Sequence, residues 1–207
     1  GTSTDVSDPE AFGLMMELAM MGSGTGAVLE QSKIDKLPEV MTVINLQEVT
    51  AVGEVGGNPD TEVKYGKKET RLIVGDSRRG WCSAYQQIID WAMTDLHGKI
   101  DLVVDLSQIR PAGERLKGFG GVANPVKLGE MFEKVCAILA NAHGRKLTSI
   151  EACLLIDEAS AAVVAGNIRR SAGMRQFAWD DTEAANAKDN LYSQDSEGNW
   201  RVDPARE

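Results

Sequence analysis

From Pro9 to Met21 the chain offers almost no polar face. Phe12, Leu14, Met15, Met16, Leu18, Ala19, Met20 and Met21 follow one another so closely that a helix built from them is apolar nearly all round. Such a helix is stable only inside a core or a larger assembly. Asp8 is placed to cap it, and Pro9 suits a first helical position. The four methionines are read as packing side chains, whose flexible thioethers fill irregular gaps.

A second nearly all-apolar helix is expected from Ser149 to Val164, around Cys153-Leu154-Leu155-Ile156. Two amphipathic helices complete the set. One begins at Asp76-Ser77, repeats Trp81, Ala84, Tyr85, Ile88, Ile89, Ala92 and Leu96 at helical spacing, and closes at His97-Gly98. The other runs from Leu128 to Asn141, with Met131, Phe132, Val135, Cys136, Leu139 and Ala140 on one face. Strand-like runs lie between them at Val40–Ile44, Glu48–Val52, Thr70–Val74, Ile100–Asp105 and Gln176–Trp179. This alternation predicts an α/β fold. Between residues 31 and 75, the turn markers Gly53, Gly56, Gly57, Asn58 and Pro59 suggest a small antiparallel unit inserted into the main fold. Lys64, Tyr65 and Gly66 fall in a polar connection. Asp180-Asp181 can cap a short helix through Ala184–Ala187, and Asn190 to Glu207 reads as polar loop.

The net charge of −9 argues against a partner that is a nucleic-acid polymer or a membrane surface. No apolar run approaches a membrane span. The N-terminal residues lack a basic start and a signal-like core. Cys82, Cys136 and Cys153 have no metal-like spacing. An odd count of thiols without a secretion signal predicts reduced cysteines and a cytoplasmic location. All three are read as small buried hydrophobes, and His97 and His143 as helix-terminal residues rather than bases or ligands.

Against this acidic background, two loops are basic and rich in glycine. Val163-Val164-Ala165-Gly166-Asn167-Ile168-Arg169-Arg170-Ser171-Ala172-Gly173 holds two adjacent arginines between glycines. Two guanidiniums there suit a phosphate or the edge of a base. From spacing alone, a Gly166-Asn167 helix cap followed by two solvated arginines explains the loop as well. The second loop runs from Ser107 to Gly121 and carries three basic residues and four glycines. A mobile surface loop and a binding loop both fit it. A third glycine run, Gly22-Ser23-Gly24-Thr25-Gly26, follows a helix and enters a strand. A dinucleotide fingerprint has the opposite order, so that reading is rejected, while close backbone approach to a ligand stays open.

Three segments together resemble the monomeric, adenosylcobalamin-dependent class II ribonucleotide reductases: Met20-Met21-Gly22-Ser23-Gly24-Thr25-Gly26; Ser107-Gln108-Ile109-Arg110-Pro111-Ala112-Gly113 through Leu116-Lys117-Gly118-Phe119-Gly120-Gly121; and Val163 to Ala172. Gly75-Asp76-Ser77-Arg78-Arg79-Gly80-Trp81 is similar too, and Trp179-Asp180-Asp181 with Ala187–Asn190 more weakly. The resemblance implies the early half of a ten-stranded α/β barrel with an inserted small antiparallel β unit plus helix. Residues 1–30 would form the first barrel helix and strand, 31–100 the insertion near an effector site, and 101–207 the barrel continuation with specificity loop and polar tail. It implies that Ser23 and Gly24 lie near the substrate ribose and phosphates, and that Arg110 belongs to a loop contacting an allosteric deoxynucleotide. It further implies that Gly166, Asn167, Ile168, Arg169, Arg170, Ser171 and Ala172 form the loop between effector and substrate, and that Asp5 lies near an effector-binding strand.

The family's Asn-x-Cys-x-Glu motif and C-terminal cysteine pair are absent from these residues, so no residue here is expected to be catalytic or to bind a metal. The implied whole is an enzyme that reduces a ribonucleoside triphosphate at its 2′ carbon with a thiyl radical. Adenosylcobalamin would be its cofactor, a deoxynucleoside triphosphate its effector, and the remaining reductase polypeptide the source of the catalytic cysteines. The isolated chain is expected to be inactive, and self-association is expected to cover a partial barrel's open edges. The alternative is a non-catalytic, stand-alone nucleotide-binding module.

Overall fold

The structure is a computed structural model and describes residues 2–114, 124–163, 172–189 and 191–202. The first strand, β1 (Thr2–Asp5), leads into α1 (Glu10–Met20) and back to β2 (Gly24–Val28). β2 pairs parallel with β1 on one side and with β7 (Ala172–Gln176) on the other. The three form one sheet in the order β1-β2-β7.

α2 (Gln31–Ile34) leads to a second sheet containing β3 (Val43–Val49), β4 (Glu62–Tyr65), β5 (Thr70–Ile73) and β6 (Lys99–Asp105). Its order is β3-β6-β5-β4. The expected antiparallel unit is corrected here: β3 and β5 both run parallel to β6, and only β4 pairs antiparallel with β5. The reason is α3 (Arg78–Ala92). A helical crossover after β5 returns the chain in the same direction, which a parallel neighbour requires. Residue 100 lies in β6, one of the two inner strands of this sheet.

α4 (Pro125–Asn141) packs on β3 and on α5 (Ser149–Val163), while α1 packs against α3 and α5. The buried side chains of these four helices and these two sheets form one continuous core. α1 behaves largely as its composition demands. Phe12, Met15 and Met16 are at most 1% exposed, whereas Leu14 is 45% exposed and marks the one open side. At the contact with α3 the backbone of Gly13 donates to Gln86 Oε1 at 2.9 Å, and a side chain at Gly13 would collide with that oxygen. Tyr85, fully buried, donates its hydroxyl to the Leu155 carbonyl at 2.8 Å and ties α3 to α5.

Other expectations shift at element ends. α3 stops at Ala92, so His97 does not close it; His97 sits in a turn at φ 57°. β7 starts at Ala172, upstream of the run expected at Gln176–Trp179, because pairing with β2 fixes the strand. Trp179 is left 96% exposed. The tail is not loop throughout: β8 (Tyr192–Gln194) and β9 (Trp200–Val202) form a hairpin. Asp195 Oδ1 accepts from the amides of Glu197 and Asn199, and Gly198 takes φ 82°, which together close its turn. α6 (Thr182–Asn186) is capped by Asp181, as expected, and the other Asp181 oxygen accepts from Ser149 Oγ at 2.6 Å.

The start of α5 is fixed by a reciprocal cap. Thr148 Oγ1 accepts from the Glu151 amide at 3.1 Å, and Glu151 Oε2 accepts from the Thr148 amide at 2.9 Å. Satisfying two helix-end donors this way makes a capping box. Arg145 adds a two-pronged contact to the same carboxylate, at 2.6 and 2.7 Å. Burial alone would raise the Glu151 carboxyl, but the hydrogen bonds from Arg145 and Thr148 outweigh it and hold it below its ordinary value. A depressed folded pKa stabilises the fold above the unfolded value, and that stabilisation is lost as pH falls through the folded one. Thr148→Ala is expected to cost about 1 kcal/mol in denaturant unfolding. Glu151→Gln is expected to flatten the loss of stability on acidification, read from denaturation midpoints across the acidic range.

Candidate functional site

In a strand, alternate residues share a face. The register sets Ser3, Gly26 and Met174 side by side on one face of the first sheet, with Gly24 beside Ala172. Thr25 and Ala27 alternate with them and are buried. On the face they share, Ser3, Gly24, Ala172 and Met174 are exposed and Gly26 is buried between its neighbours; Met174 remains 65% exposed. An open cleft of about 380 Å³ lies there, lined by Ser3, Gly24, Thr25, Gly26, Ala172, Gly173 and Met174. Much of its floor is bare main chain. At Gly26 even a methyl group would press on the Ser3 backbone at 3.2 Å. Such a floor lets a ligand approach the peptide groups themselves. The volume falls in the range of small-molecule sites, roughly 300–1,000 Å³.

The sequence-predicted residues divide between places. Gly24 and Ala172 meet in the cleft, in direct register. Ser23 precedes β2 and donates its amide to the Leu18 carbonyl at 3.1 Å; it is not among the lining residues. Gly166, Asn167, Ile168, Arg169, Arg170 and Ser171 lie outside the described residues, as do Arg115 and Lys117. Arg175, the next arginine on β7, is taken up by Asp157 of α5 at 2.7 Å and is only 13% exposed along its side chain. Asp5, at the end of β1, pairs with Lys33 at 2.7 Å.

Arg110 lies elsewhere, in the loop after β6. Its Nε reaches Asp76 Oδ2 at 2.9 Å and its Nη2 reaches the same oxygen at 2.7 Å; the Asp76 side chain is 5% exposed. The turn from Gly53 to Asn58 is stapled to this loop. The Gly53 amide donates to the Ile109 carbonyl, the Gly57 amide to the Gln108 carbonyl, and the Asn58 amide to Gln108 Oε1. Nearby Asp105 accepts from the Ser107 amide and from Arg71. Burial would raise its carboxyl, yet these bonds hold it below the ordinary carboxylate value.

Sequence reasoning missed Ser3 and Met174 in the cleft, and Asp76 as the carboxylate on Arg110. Asp76 stood in a flagged segment, but the following serine masked it as a helix start. The small and β-branched run Thr2-Ser3-Thr4 was the available signal for β1.

The thiols offer no nucleophile. Burial is the main cause that pushes Cys82, Cys136 and Cys153 up to about 12, so all three stay protonated near neutrality. Alkylation by iodoacetamide at pH 7 is expected to be much slower than for a free thiol until denaturant is added. Among the described residues, no group of three or more His, Cys, Asp or Glu is placed to hold a metal ion, and no helix is long and apolar enough to cross a membrane.

Residues 42–139 match the family model described as B12-dependent ribonucleotide reductase, insertion domain. The chain is 35% identical over 190 residues to an adenosylcobalamin-dependent ribonucleoside-triphosphate reductase of Lactobacillus delbrueckii subsp. bulgaricus, an alignment covering 86% of the chain and 25% of that relative. A reductase of the same name from Lacticaseibacillus paracasei is 33% identical over 192 residues. The fold matches a crystal structure of a B12-dependent, class II ribonucleotide reductase with a TM-score of 0.73 and 31% identity, over 88% of the chain and 26% of that structure. The chain therefore spans about a quarter of the length of the relatives it matches.

Proposed function

The chain is a part-length relative of the B12-dependent ribonucleotide reductases, and from that premise we propose that it is the nucleotide-binding portion of such an enzyme. The cleft over Gly24, Gly26 and Ala172 would take the ribose and phosphates of a ribonucleoside triphosphate. The loop from Gly166 to Ala172 would lie between that substrate and a deoxynucleotide effector held near Arg110. One observation carries this reading. Gly24 at the start of β2 and Ala172 at the start of β7 are far apart in the chain, yet meet in register in one cleft. A floor without side chains lets a ligand come close to the sheet, and the two arginines would supply local positive charge in a chain of net charge −9.

Ser23 directly precedes Gly24, which lines the cleft, and is assigned to the substrate side with it. The sheet β1-β2-β7 would be the opening arc of the ten-stranded barrel. β1 and β7 each have one partner strand among the described residues, and the remaining reductase polypeptide, or a second copy of the fragment, would pair with their outer edges. Adenosylcobalamin supplies radical initiation in the relatives' chemistry. No residue here is assigned to it. The family's Asn-x-Cys-x-Glu motif does not occur in these residues, so the chain's part would be binding and positioning, with the radical cysteine supplied by other polypeptide.

Photo-crosslinking with an azido-purine ribonucleoside triphosphate tests this assignment. Adducts are expected on peptides containing Ser23–Gly26 or Gly166–Met174. Labelling confined to other surfaces would overturn it. The purified chain, given adenosylcobalamin and a dithiol, is expected to form no deoxynucleotide, and turnover would contradict the division of labour.

A further inference from the structure

The pair formed by Asp76 and Arg110 has a construction that a surface ion pair lacks. Both carboxylate oxygens are engaged: Nε lies 3.1 Å from Oδ1 and 2.9 Å from Oδ2, Nη2 lies 2.7 Å from Oδ2, and the Arg110 amide also donates to Oδ1 at 3.3 Å. The two side chains are 5% and 16% exposed. Three glycines then close over the site. A Cβ at Gly56 would overlap Asp76 Oδ2, one at Gly57 would overlap Gln108 Oε1, and one at Gly53 would overlap the Ser107 carbonyl. The Asp76 amide itself donates to the Asn58 carbonyl at 2.8 Å. The carboxylate thus sits where three segments meet: the turn from Gly53 to Asn58, the entry to α3, and the loop after β6. It is not needed to cap α3, since Ser77 Oγ does that by accepting from the Gly80 amide at 2.9 Å.

We propose that Asp76 is the positioning residue of the effector loop: it holds Arg110 and the backbone of residues 107–110 against the glycine turn, and so sets how the loop presents itself to a deoxynucleoside triphosphate. This rests on the assignment of Arg110 to an effector loop. Two-pronged guanidinium–carboxylate contact fixes orientation as well as distance, and a buried pair stripped of one partner leaves the other uncompensated. The glycines make the arrangement intolerant of bulk. Gly56→Ala would press on the carboxylate without altering any charge.

The test uses the full 207-residue chain with Asp76→Ala, Asp76→Asn and Gly56→Ala, and reads two things. Amide hydrogen exchange at Gly53, Gly57 and Arg110 is expected to accelerate at least about tenfold in Asp76→Ala, while amides in the middle of α4 are unchanged. Affinity for a deoxynucleoside triphosphate is expected to fall about tenfold, with Asp76→Asn and Gly56→Ala intermediate and ribonucleotide uptake at the Gly24 cleft unaltered. A purely structural role would weaken both ligands together, and that result overturns the proposal. So does unchanged exchange at the three amides, or opened loops with undiminished deoxynucleotide affinity. Should the unaltered chain take up no deoxynucleotide, the effector-loop reading fails, and the exchange result alone decides whether Asp76 holds the loop.

Discussion

Phe12→Ala is expected to destabilise the chain by about 3–5 kcal/mol. Phe12 is fully buried on α1, and α1 packs against both α3 and α5. Removing the ring forfeits its transfer from water and leaves a cavity where two helix interfaces converge, so little collapse can fill it. Domains of this kind hold roughly 5–15 kcal/mol in total, and the change would consume a large share of that. Leu14 is the control two residues away. It is as apolar in sequence, but 45% exposed, and Leu14→Ala is expected to stay within about 1 kcal/mol. Urea unfolding followed by circular dichroism separates them. Similar midpoints for the two variants would mean that α1 does not pack as described.

Arg169→Ala combined with Arg170→Ala is expected to weaken triphosphate binding by about a hundredfold or more. A hydrogen bond to a charged group contributes roughly 1.5–3 kcal/mol, and two lost contacts convert to at least that factor. The chain's net charge of −9 repels an anion at long range, so binding depends on local cations that salt also screens. Removing two charges elsewhere separates local contact from overall charge. Lys127 and Lys134 make exposed ion pairs on α4, with Glu130 and Glu158, and Lys127→Ala with Lys134→Ala is expected to change affinity less than threefold. Equal loss in both double variants would show that the arginines act only through net charge.

Much of the helical frame was legible in the sequence, because Tyr85 and Phe132 recur with apolar neighbours at helical spacing and Phe12 and Leu155 stand in nearly all-apolar runs. Strand partners were not. Nothing in Val43–Val49 says that it pairs with β6 rather than with β4; that pairing joins strands distant in the chain, which is long-range topology. The hairpin of β8 and β9 was missed because its strands are short and polar, and its turn rests on Asp195 accepting two backbone amides. For the cleft, motif resemblance named Gly24 and Ala172, while their meeting in register depends on β2 lying between β1 and β7. Asp76 was hidden for a related reason: a carboxylate before a helix reads as local capping, and its partner Arg110 stands on a distant loop.

The most direct measurement is a calorimetric titration of the folded chain with a ribonucleoside triphosphate, and separately with a deoxynucleoside triphosphate, at about 0.15 M ionic strength. Saturable uptake of each is expected, the ribonucleotide lost in the Arg169→Ala, Arg170→Ala double variant and the deoxynucleotide weakened in Asp76→Ala. A chain that unfolds cooperatively, and so is folded, yet takes up neither nucleotide would contradict its assignment as the nucleotide-binding portion of a reductase.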